Sequence, residues 1–254
     1  MRFSGRTAIV TGGNGSIGGA IARSLAAEGC AVGLIDIRPP SEVAADIQRL
    51  GARAVALPAD VSDAQPLSAA FQEATEALGG LDIVVNAAGI TSFGSAAALD
   101  EAEWDRVLAI NLKGVFLACQ AAIAPLRARG GGRIINIGSV LAKNGGNARP
   151  WIDPAEQNAS ANVAYGVSKA GVHALTFYLA RELAPFGITV NCVAPGPIAS
   201  SMTKDFPKNL ASLIPLGRLG QPSEVAAAVM FLASDQAAFI TGEVLDMNGG
   251  SWSD

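Results

Sequence analysis

The sequence has few of the residues on which several functional classes depend. Among its 254 residues there is one histidine, His173, and there are three cysteines, Cys30, Cys119 and Cys192, far apart in apolar stretches. A single histidine argues against a histidine-based metal site or a Ser-His-Asp triad, and we expect no bound metal. The cysteines lack metal-ligand spacing and cannot all pair, which fits a reduced, cytoplasmic compartment.

Basic charge and long apolar runs are also scarce. The net charge is −4, only 16% of the residues are charged, and Lys and Arg form no run. We therefore expect neither a nucleic acid nor an anionic membrane as a partner, because both favour a basic surface. No apolar stretch reaches the roughly 18 residues that a transmembrane helix needs, so we expect no membrane span. A strand begins too early for a signal peptide to precede it.

Short apolar stretches that alternate with helical patterns are abundant, and half of the residues are hydrophobic. Strands are predicted over 7–12, 31–36, 54–59, 82–86, 133–138, 188–193 and 243–247, and helices over 17–28, 41–50, 64–78, 101–128, 163–185 and 222–233. The strands are almost continuously apolar, as in parallel sheets covered on both faces. We predict a single-domain α/β fold over 1–254, a Rossmann-type doubly wound parallel sheet of about seven strands with helices on both faces.

A glycine-rich loop joins the first predicted strand to the first predicted helix. Its residues are Thr11-Gly12-Gly13-Asn14-Gly15-Ser16-Ile17-Gly18. Small residues let the backbone approach a pyrophosphate, and the following helix offers free N–H groups and the positive end of its dipole. Such a loop can be an ordinary turn, but its position between a strand and a helix favours a dinucleotide site.

An acidic residue, Asp36, ends the second predicted strand. A carboxylate here can accept hydrogen bonds from both hydroxyls of an adenosine ribose, and it repels the 2′-phosphate that distinguishes NADP. We therefore expect NAD as the cofactor. Arg38, two positions later, softens the repulsion, and the plain alternative is a solvated aspartate at a strand end.

Three side chains in the second half of the chain are suited to proton transfer. Tyr165 and Lys169 are four residues apart on one predicted helix, so the phenol and the ammonium face the same space. A nearby cation lowers the tyrosine pKa toward neutrality, as a general base for an alcohol requires. Ser139 follows the fifth predicted strand, at the edge where ligands bind in such sheets. Taken singly, these residues could be an exposed helical pair and a turn cap.

The other tyrosine, Tyr178, lies in an apolar helical stretch. We predict that it belongs to the core, which leaves Tyr165 as the one candidate for proton transfer.

Together these residues resemble the short-chain dehydrogenase/reductase family from Thr7 to about Gly250. The matching segments, in order, are the glycine-rich loop, Asp60-Val61, Asn86-Ala87-Ala88-Gly89, Asn111, Ser139, Tyr165-x-x-x-Lys169, Asn191 with Pro195-Gly196, Ile240-Thr241-Gly242 and Gly249-Gly250. The resemblance implies an NAD-dependent oxidoreductase that transfers a hydride between nicotinamide and a secondary alcohol or ketone. It also implies a homo-oligomer, often a tetramer, with the 163–185 helix in one interface.

The resemblance further implies roles for individual residues. Tyr165 would exchange a proton with the substrate oxygen, and Ser139 would orient the carbonyl or alcohol. Lys169 would hold the nicotinamide ribose and lower the tyrosine pKa, and Asn111 would hold a water that links Lys169 to solvent. The implied cofactor-binding residues are Gly12, Asn14, Ser16, Ile17, Gly18, Asp36, Asp60, Val61, Asn86, Gly89, Tyr165, Lys169, Pro195, Gly196 and Ile198.

The chain departs from the family pattern within the loop and after Ser139. Ser16 stands where the family usually has glycine, and its small side chain is expected to preserve binding. Ser139 and Tyr165 are 26 positions apart, about twice the usual gap, so residues 143–162 form an insertion beside the substrate. Its polar residues predict a lid over a substrate with several hydroxyls or a carboxylate. A surface decoration or an oligomer contact is an equal alternative.

Two other functions stay open. One is a catalytically silent NAD-binding regulator, although the intact set of Asn111, Ser139, Tyr165 and Lys169 argues against it. The other is a lyase, epimerase or dehydratase that uses NAD without net redox, although little chain remains for a larger substrate domain. The sequence does not choose among a sugar or polyol, a 3-oxoacyl thioester, a steroid and an aromatic alcohol as the substrate.

Overall fold

The computed structural model describes residues 1–146, 155, 161–200, 203 and 211–253, and these contain a seven-stranded parallel sheet. Its strands are β1 Thr7–Thr11, β2 Ala31–Asp36, β3 Ala54–Pro58, β4 Ile83–Asn86, β5 Gly132–Ile137, β6 Ile188–Pro195 and β7 Val244–Met247. Their order across the sheet is β3-β2-β1-β4-β5-β6-β7. The winding direction reverses between β1 and β4, and ligands bind at such a switch point in doubly wound sheets.

Helices connect the strands and cover both faces of the sheet. They are α1 Ser16–Ala27, α2 Ser41–Arg49, α3 Ala64–Leu78, α4 Glu101–Leu108, α5 Gly114–Ala128, α6 Leu141–Asn144, α7 Val163–Leu183 and α8 Pro222–Ala233. One buried cluster joins α1, α2 and α8 to the sheet, and a second joins α3, α5 and α7 to its other face. Burial on both faces explains why all residues of β1 and β4 are buried and why all but Thr7, Thr11 and Asn86 are apolar. The predicted fold is confirmed.

The predicted elements agree with the observed ones to within two residues at each end, except that one predicted helix is interrupted. The stretch 101–128 consists of α4, a π-helical turn at Ala109–Lys113, and α5. The π turn contains Asn111, and such turns inside α-helices are often found at functional sites.

The helical run Glu101–Ala128 is also, among the described residues, the one run that is long and apolar enough to cross a membrane by length and composition. Its most apolar window has a mean hydropathy of 1.8 and is 39% buried. The run is not an uninterrupted apolar stretch, because Asn111, Lys113 and Gln120 lie within it, so it does not contradict the expectation that no apolar stretch reaches about 18 residues. Ala118, Cys119 and Ala122 of α5 nevertheless pack within the core on the sheet, so the run is weak evidence for a membrane span.

One residue predicted to be core lies on the surface. Tyr178 is 77% exposed, whereas Thr176, Leu179 and Ala180 of the same helix are buried. The prediction is wrong because apolar residues occupy both sides of α7, so the apolar stretch alone does not show which side faces the sheet.

The three cysteines are free and buried, and burial raises the pKa of each thiol to about 12. Most of the predicted insertion, including Arg149 and Trp151, lies outside the described residues. Its ends are fixed: Lys143 Nζ donates to Asp246 Oδ2 at 2.9 Å, and Gly94 N donates to Ala161 O at 2.6 Å.

Candidate active site

The glycine-rich loop packs tightly against the ends of two neighbouring strands. Gly12 has a φ of +72°, and a Cβ atom there would lie 2.7 Å from Ala88 N, just after β4. A Cβ atom on Gly18 would overlap the carbonyl oxygen of Gly12. The nitrogen of Gly12 donates to Ile35 O at 2.8 Å. Both glycines are therefore required by the close approach of backbone to backbone.

The outer part of this loop presents free backbone groups to solvent. Asn14, Gly15 and Ser16 are exposed, and α1 begins at Ser16 without a side-chain cap or an acidic residue in its first turn. The uncapped N–H groups and the positive end of the helix dipole suit an anion. Together with the crowded glycines, this arrangement fits the pyrophosphate of a dinucleotide at residues 14–18.

Asp36 connects the end of β2 to the same loop. Its Oδ2 atom accepts a hydrogen bond from Asn14 N at 2.9 Å, and Asn14 Nδ2 donates to Arg38 O at 2.7 Å. The carboxylate is partly exposed, so it lies at the mouth of the loop while it also fixes the loop conformation. This position fits a carboxylate that binds the adenosine ribose.

Two implied cofactor residues at the end of β3 also have structural contacts. The Oδ1 atom of Asp60 accepts from Ser62 N and Ser62 Oγ at 2.8 and 2.7 Å. Val61 is 7% exposed, and a Cβ atom on Gly114 would lie 2.8 Å from its Cγ2. These contacts fix the turn after β3 against α5.

Asn86, at the end of β4, points into the interior. Its Nδ2 atom donates to Asn136 Oδ1 at 2.9 Å and to Cys119 Sγ at 3.2 Å. Asn136 Nδ2 in turn donates to Thr176 Oγ1 at 3.0 Å. The support that Asn86 gives to a cofactor is therefore indirect, through a buried chain of amides that ties β4 and β5 to α7.

The proposed proton-transfer residues meet at the carboxyl end of β5. Tyr165, near the start of α7, lies close enough to Ser139 for the serine side chain to influence its pKa, and Ser139 is 6% exposed. Lys169 Nζ lies one helical turn away, 5.9 Å from the centre of the Tyr165 ring, and donates to Ile137 O at 2.8 Å. The structure thus places the phenol, the hydroxyl and the ammonium at one corner, as the sequence predicts.

The pKa directions at this corner differ from the sequence prediction. Burial raises the pKa of Tyr165, and its hydrogen bond with Ser139 opposes that shift. Burial also lowers the pKa of Lys169 to about 8, although a charge interaction with Cys192 opposes this. The expected lowering of the tyrosine pKa by Lys169 is not seen in the protein alone: burial dominates the pKa of Tyr165, and the group that opposes it is Ser139.

Asn111 lies beside this corner in the π turn and is fully buried. Its side-chain amide hydrogen-bonds both backbone groups of Ile90: Ile90 N donates to Asn111 Oδ1 at 2.8 Å, and Asn111 Nδ2 donates to Ile90 O at 2.9 Å. A Cβ atom on Gly89 would lie 3.2 Å from Asn111 Oδ1 and 3.5 Å from Lys169 Nζ. Asn111 and Lys169 therefore approach each other across Gly89, which leaves space between the amide and the ammonium.

The turn after β6 completes the same edge of the sheet. Val140 N donates to Pro195 O at 2.9 Å, and Gly196 N donates to Met247 O at 2.9 Å. A Cβ atom on Gly196 would lie 2.9 Å from Asn248 Cα, and Ile198 is 7% exposed. The turn is thus joined to the residue after Ser139, as expected for a segment that lies along the nicotinamide.

Sequence reasoning missed His173 and Cys192, which pack against the main chain at Gly138 and Ser139. His173 Nε2 accepts a hydrogen bond from Ser139 N at 3.5 Å. A Cβ atom on Gly138 would overlap the His173 ring and lie 2.7 Å from Cys192 Sγ. The position of His173, four residues after Lys169, is the signal that could have revealed its place on the same face of the helix.

No group of three or more His, Cys, Asp or Glu side chains that could hold a metal ion occurs in the described part of the chain.

Residues 12–251 match a family model described as enoyl-(acyl carrier protein) reductase. The chain belongs to the short-chain dehydrogenase/reductase family. It is therefore similar, over nearly its whole length, to oxidoreductases that bind a nicotinamide cofactor.

Members of this family with different names are about equally similar to the chain. The 3-oxoacyl-[acyl-carrier-protein] reductase FabG of Staphylococcus aureus (strain Mu50) is 40% identical, over 97% of this chain and 98% of the relative. Galactitol 2-dehydrogenase (L-tagatose-forming) of Cereibacter sphaeroides is also 40% identical, over 98% of this chain and 96% of the relative. Among solved structures, a dehydrogenase/reductase from Sinorhizobium meliloti 1021 has a TM-score of 0.89 and 40% identity, covering 98% of this chain and 96% of its own.

Proposed function

We propose that this short-chain dehydrogenase/reductase is an NAD-dependent enzyme that interconverts a secondary alcohol and a ketone, with Tyr165 as its general acid and base. The observation that carries the proposal is the meeting of three side chains at the carboxyl end of β5: Ser139 is close enough to oppose the pKa shift of Tyr165, and buried Lys169 lies one helical turn away. This arrangement supports a site in which one substrate oxygen contacts both the phenol and the serine hydroxyl.

A bound nicotinamide cofactor supplies or accepts the hydride at the substrate carbon. Because its pKa is raised, the phenol of Tyr165 is protonated at neutral pH and donates its proton to the oxygen of a ketone. Ser139 Oγ holds that oxygen in place. In the reverse direction Tyr165 must first lose its proton, so we expect alcohol oxidation to accelerate as the pH rises.

The preference for NAD rests on Asp36. Two like charges about 4 Å apart near a surface repel by about 4 kcal/mol at an effective dielectric constant of 20. With some relief from Arg38, about 2–3 kcal/mol remains, or roughly 30- to 150-fold in affinity. We therefore expect the carboxylate to disfavour the 2′-phosphate of NADP to this extent.

Steady-state kinetics with both cofactors test the proposal. The names of two relatives suggest two probes within a wider panel of secondary alcohols and ketones: galactitol for oxidation, from the galactitol 2-dehydrogenase, and acetoacetyl-CoA for reduction, from the 39% identical acetoacetyl-CoA reductase of Allochromatium vinosum. We expect turnover of at least one compound, with a higher kcat/KM for NAD(H). Equal efficiency with NADP(H) would overturn the cofactor assignment.

A catalytically silent regulator would give a different result. NADH fluorescence would change on binding, but no alcohol or ketone in the panel would be turned over. An NAD-dependent epimerase or dehydratase would convert its substrate without net production of NADH.

We also propose that the enzyme is a homotetramer that uses the outer side of α7 in one interface. Val167, Phe177 and Tyr178 on this helix are exposed, at 44%, 47% and 77%, and contiguous apolar exposure of this kind is typical of interfaces. Sedimentation velocity tests this: Tyr178→Asp is expected to lower the oligomeric state, and an unchanged state would contradict the interface.

A further inference from the structure

We infer that His173 is a positioning residue for Ser139: its neutral imidazole accepts the backbone hydrogen bond that fixes the catalytic serine. This inference rests on the proposed function, because it assigns His173 a part in the same site. It begins from the contact between Ser139 N and His173 Nε2 at 3.5 Å.

The contact belongs to a regular series along α7. Tyr165 lies near Ser139, Lys169 Nζ donates to Ile137 O, and Thr176 Oγ1 accepts from Asn136 Nδ2. Spacings of four, four and three residues put positions 165, 169, 173 and 176 on one face of the helix. His173 is the member of this row that contacts the main chain of Ser139.

The packing around Gly138 shows that the imidazole of His173 lies directly against the main chain just before Ser139. A Cβ atom on Gly138 would overlap His173 Nε2 and would lie 2.7 Å from Cys192 Sγ. Gly138 N donates to Val193 O at 2.8 Å, so the turn is also held from β6. The ring is 6% exposed, and the main chain of Gly138 lies directly against its Nε2 edge.

The hydrogen bond fixes the chemical form of the imidazole. Because Nε2 accepts a hydrogen bond from Ser139 N, it carries no proton, and in the neutral ring the proton is on Nδ1. A protonated imidazole has no acceptor and would release the Ser139 amide. The titratable groups around this corner are Tyr165 and Lys169 on the same helix, Cys192 on β6, and the Lys143–Asp246 ion pair between α6 and β7.

The tautomer can be measured without any substrate. Since His173 is the only histidine in the chain, untagged protein labelled with ¹⁵N-histidine gives one imidazole spin system. We expect a neutral ring at pH 7.5 with the proton on Nδ1 and a bare Nε2. A proton on Nε2 would overturn the inference, and this result would not depend on whether the proposed function is correct.

Kinetics then separate positioning from simple packing. His173→Leu removes the acceptor, whereas His173→Gln places an amide oxygen near the position of Nε2. With galactitol or acetoacetyl-CoA, whichever is turned over, we expect His173→Leu to lower kcat roughly tenfold at unchanged cofactor affinity. His173→Gln should restore most of this loss.

A double-mutant cycle with Ser139→Ala is the decisive control. If His173 acts through Ser139, the effect of His173→Leu on kcat disappears in the Ser139→Ala background. An equal loss in both backgrounds would show a packing role and refute the inference. Should His173→Leu fail to fold, the same cycle with His173→Gln and Ser139→Ala decides the question, and an equal loss of kcat in both backgrounds would refute the inference.

Discussion

The proposed cofactor end and the proposed proton-transfer end of the site lie at the same edge of the sheet. The first is an exposed backbone loop, whereas the second consists of buried side chains. At the ends of β1 and β2, Asn14, Gly15 and Ser16 are exposed and lead into the N-terminus of α1, which has no side-chain cap. At the end of β5, Ser139, Lys169 and His173 are only 4–6% exposed and offer side chains. The first region suits recognition of an anion by shape and dipole, as proposed, whereas the second consists of desolvated titratable and hydroxyl groups suited to proton transfer.

This difference predicts which property, cofactor affinity or turnover, a substitution in each region should change. In the loop, a change in backbone shape or in the charge of Asp36 should alter cofactor affinity and leave the chemistry alone. At the buried corner, a change of side chain should alter turnover and its pH dependence. A loop substitution that changes turnover at saturating cofactor, or a buried-corner substitution that changes cofactor affinity, would show that the two regions do not act separately.

The largest effect is expected at the buried corner, from Tyr165→Phe. The substitution removes only the phenol hydroxyl, so the fold and cofactor affinity should persist while kcat falls by about 10²- to 10⁴-fold. Turnover and NADH fluorescence titration measure the two parts. Tyr178→Phe is the matched control, because the chain's other tyrosine is exposed. Near-normal turnover of Tyr165→Phe would rule out the assigned general acid and base.

At the cofactor end, Asp36→Asn separates charge from hydrogen bonding. The amide keeps an oxygen that can accept from Asn14 N, but it loses the negative charge. We expect the preference for NAD over NADP to fall by roughly 30- to 150-fold, with little change in NAD affinity. Asp36→Ala, which also frees the loop, should weaken both cofactors. If Asp36→Asn leaves the ratio of the two kcat/KM values unchanged, charge is not the basis of the preference.

A smaller effect is expected from Gly12→Ala in the loop. The new Cβ atom would meet the backbone of Ala87 and Ala88, so the loop must shift and cofactor affinity should fall by about tenfold or more. Gly5→Ala is the control, since Gly5 has a similar φ of +76° but nothing within 4 Å of a Cβ atom. Both variants should lose about 1–2 kcal/mol of stability from the left-handed backbone. Equal cofactor affinity in the two variants would contradict the crowding argument.

The smallest effect concerns Lys169 and the free energy of unfolding. Its pKa of about 8 in the folded protein lies below the ordinary lysine pKa of 10.5, which applies to the unfolded chain. Between pH 8 and 10.5 the unfolded chain therefore binds more protons than the folded protein. Lys169 therefore makes the protein more stable as the pH rises, by about 1 kcal/mol between pH 8 and 9. The three buried thiols, with pKa values raised to about 12, act in the opposite direction.

The Lys169 effect is consequently measured as a difference. Urea unfolding of wild type and Lys169→Met at pH 8 and pH 9 should show the variant losing about 1 kcal/mol relative to wild type over this interval. Lys169→Met should also bind the cofactor less tightly. Parallel pH dependences in the two proteins would mean that the ammonium is not desolvated as the structure indicates.

The sequence predicts the fold well because each buried strand is a short apolar run between glycine, proline or polar residues. The same reasoning fails at Tyr178, since an apolar stretch in α7 does not distinguish the side that faces the sheet from the side that faces solvent. It also fails to show the π turn at Ala109–Lys113, because the apolar pattern continues through it.

For the site, spacing alone places Tyr165 and Lys169 on one face, but it does not give the pKa of either group. Those values depend on burial, which arises from packing between α7 and β5 and is set by residues distant in the sequence. The role of His173 was hidden for the same reason: its partner is the backbone of Ser139, 34 positions earlier.

The π turn around Asn111 has a consequence for how this chain can change length. A π turn contains one residue more than an α-helix of the same rise, so it is equivalent to a one-residue insertion in a continuous helix. Deleting one residue from Ala109–Lys113 would let α4 and α5 join as a regular helix. The side chains on one half would then be rotated by about 100° relative to the other. Asn111 would then lose its hydrogen bonds with Ile90. The sheet would stay intact and the hydrophobic pattern would tolerate the deletion, but part of the proposed active site would be lost.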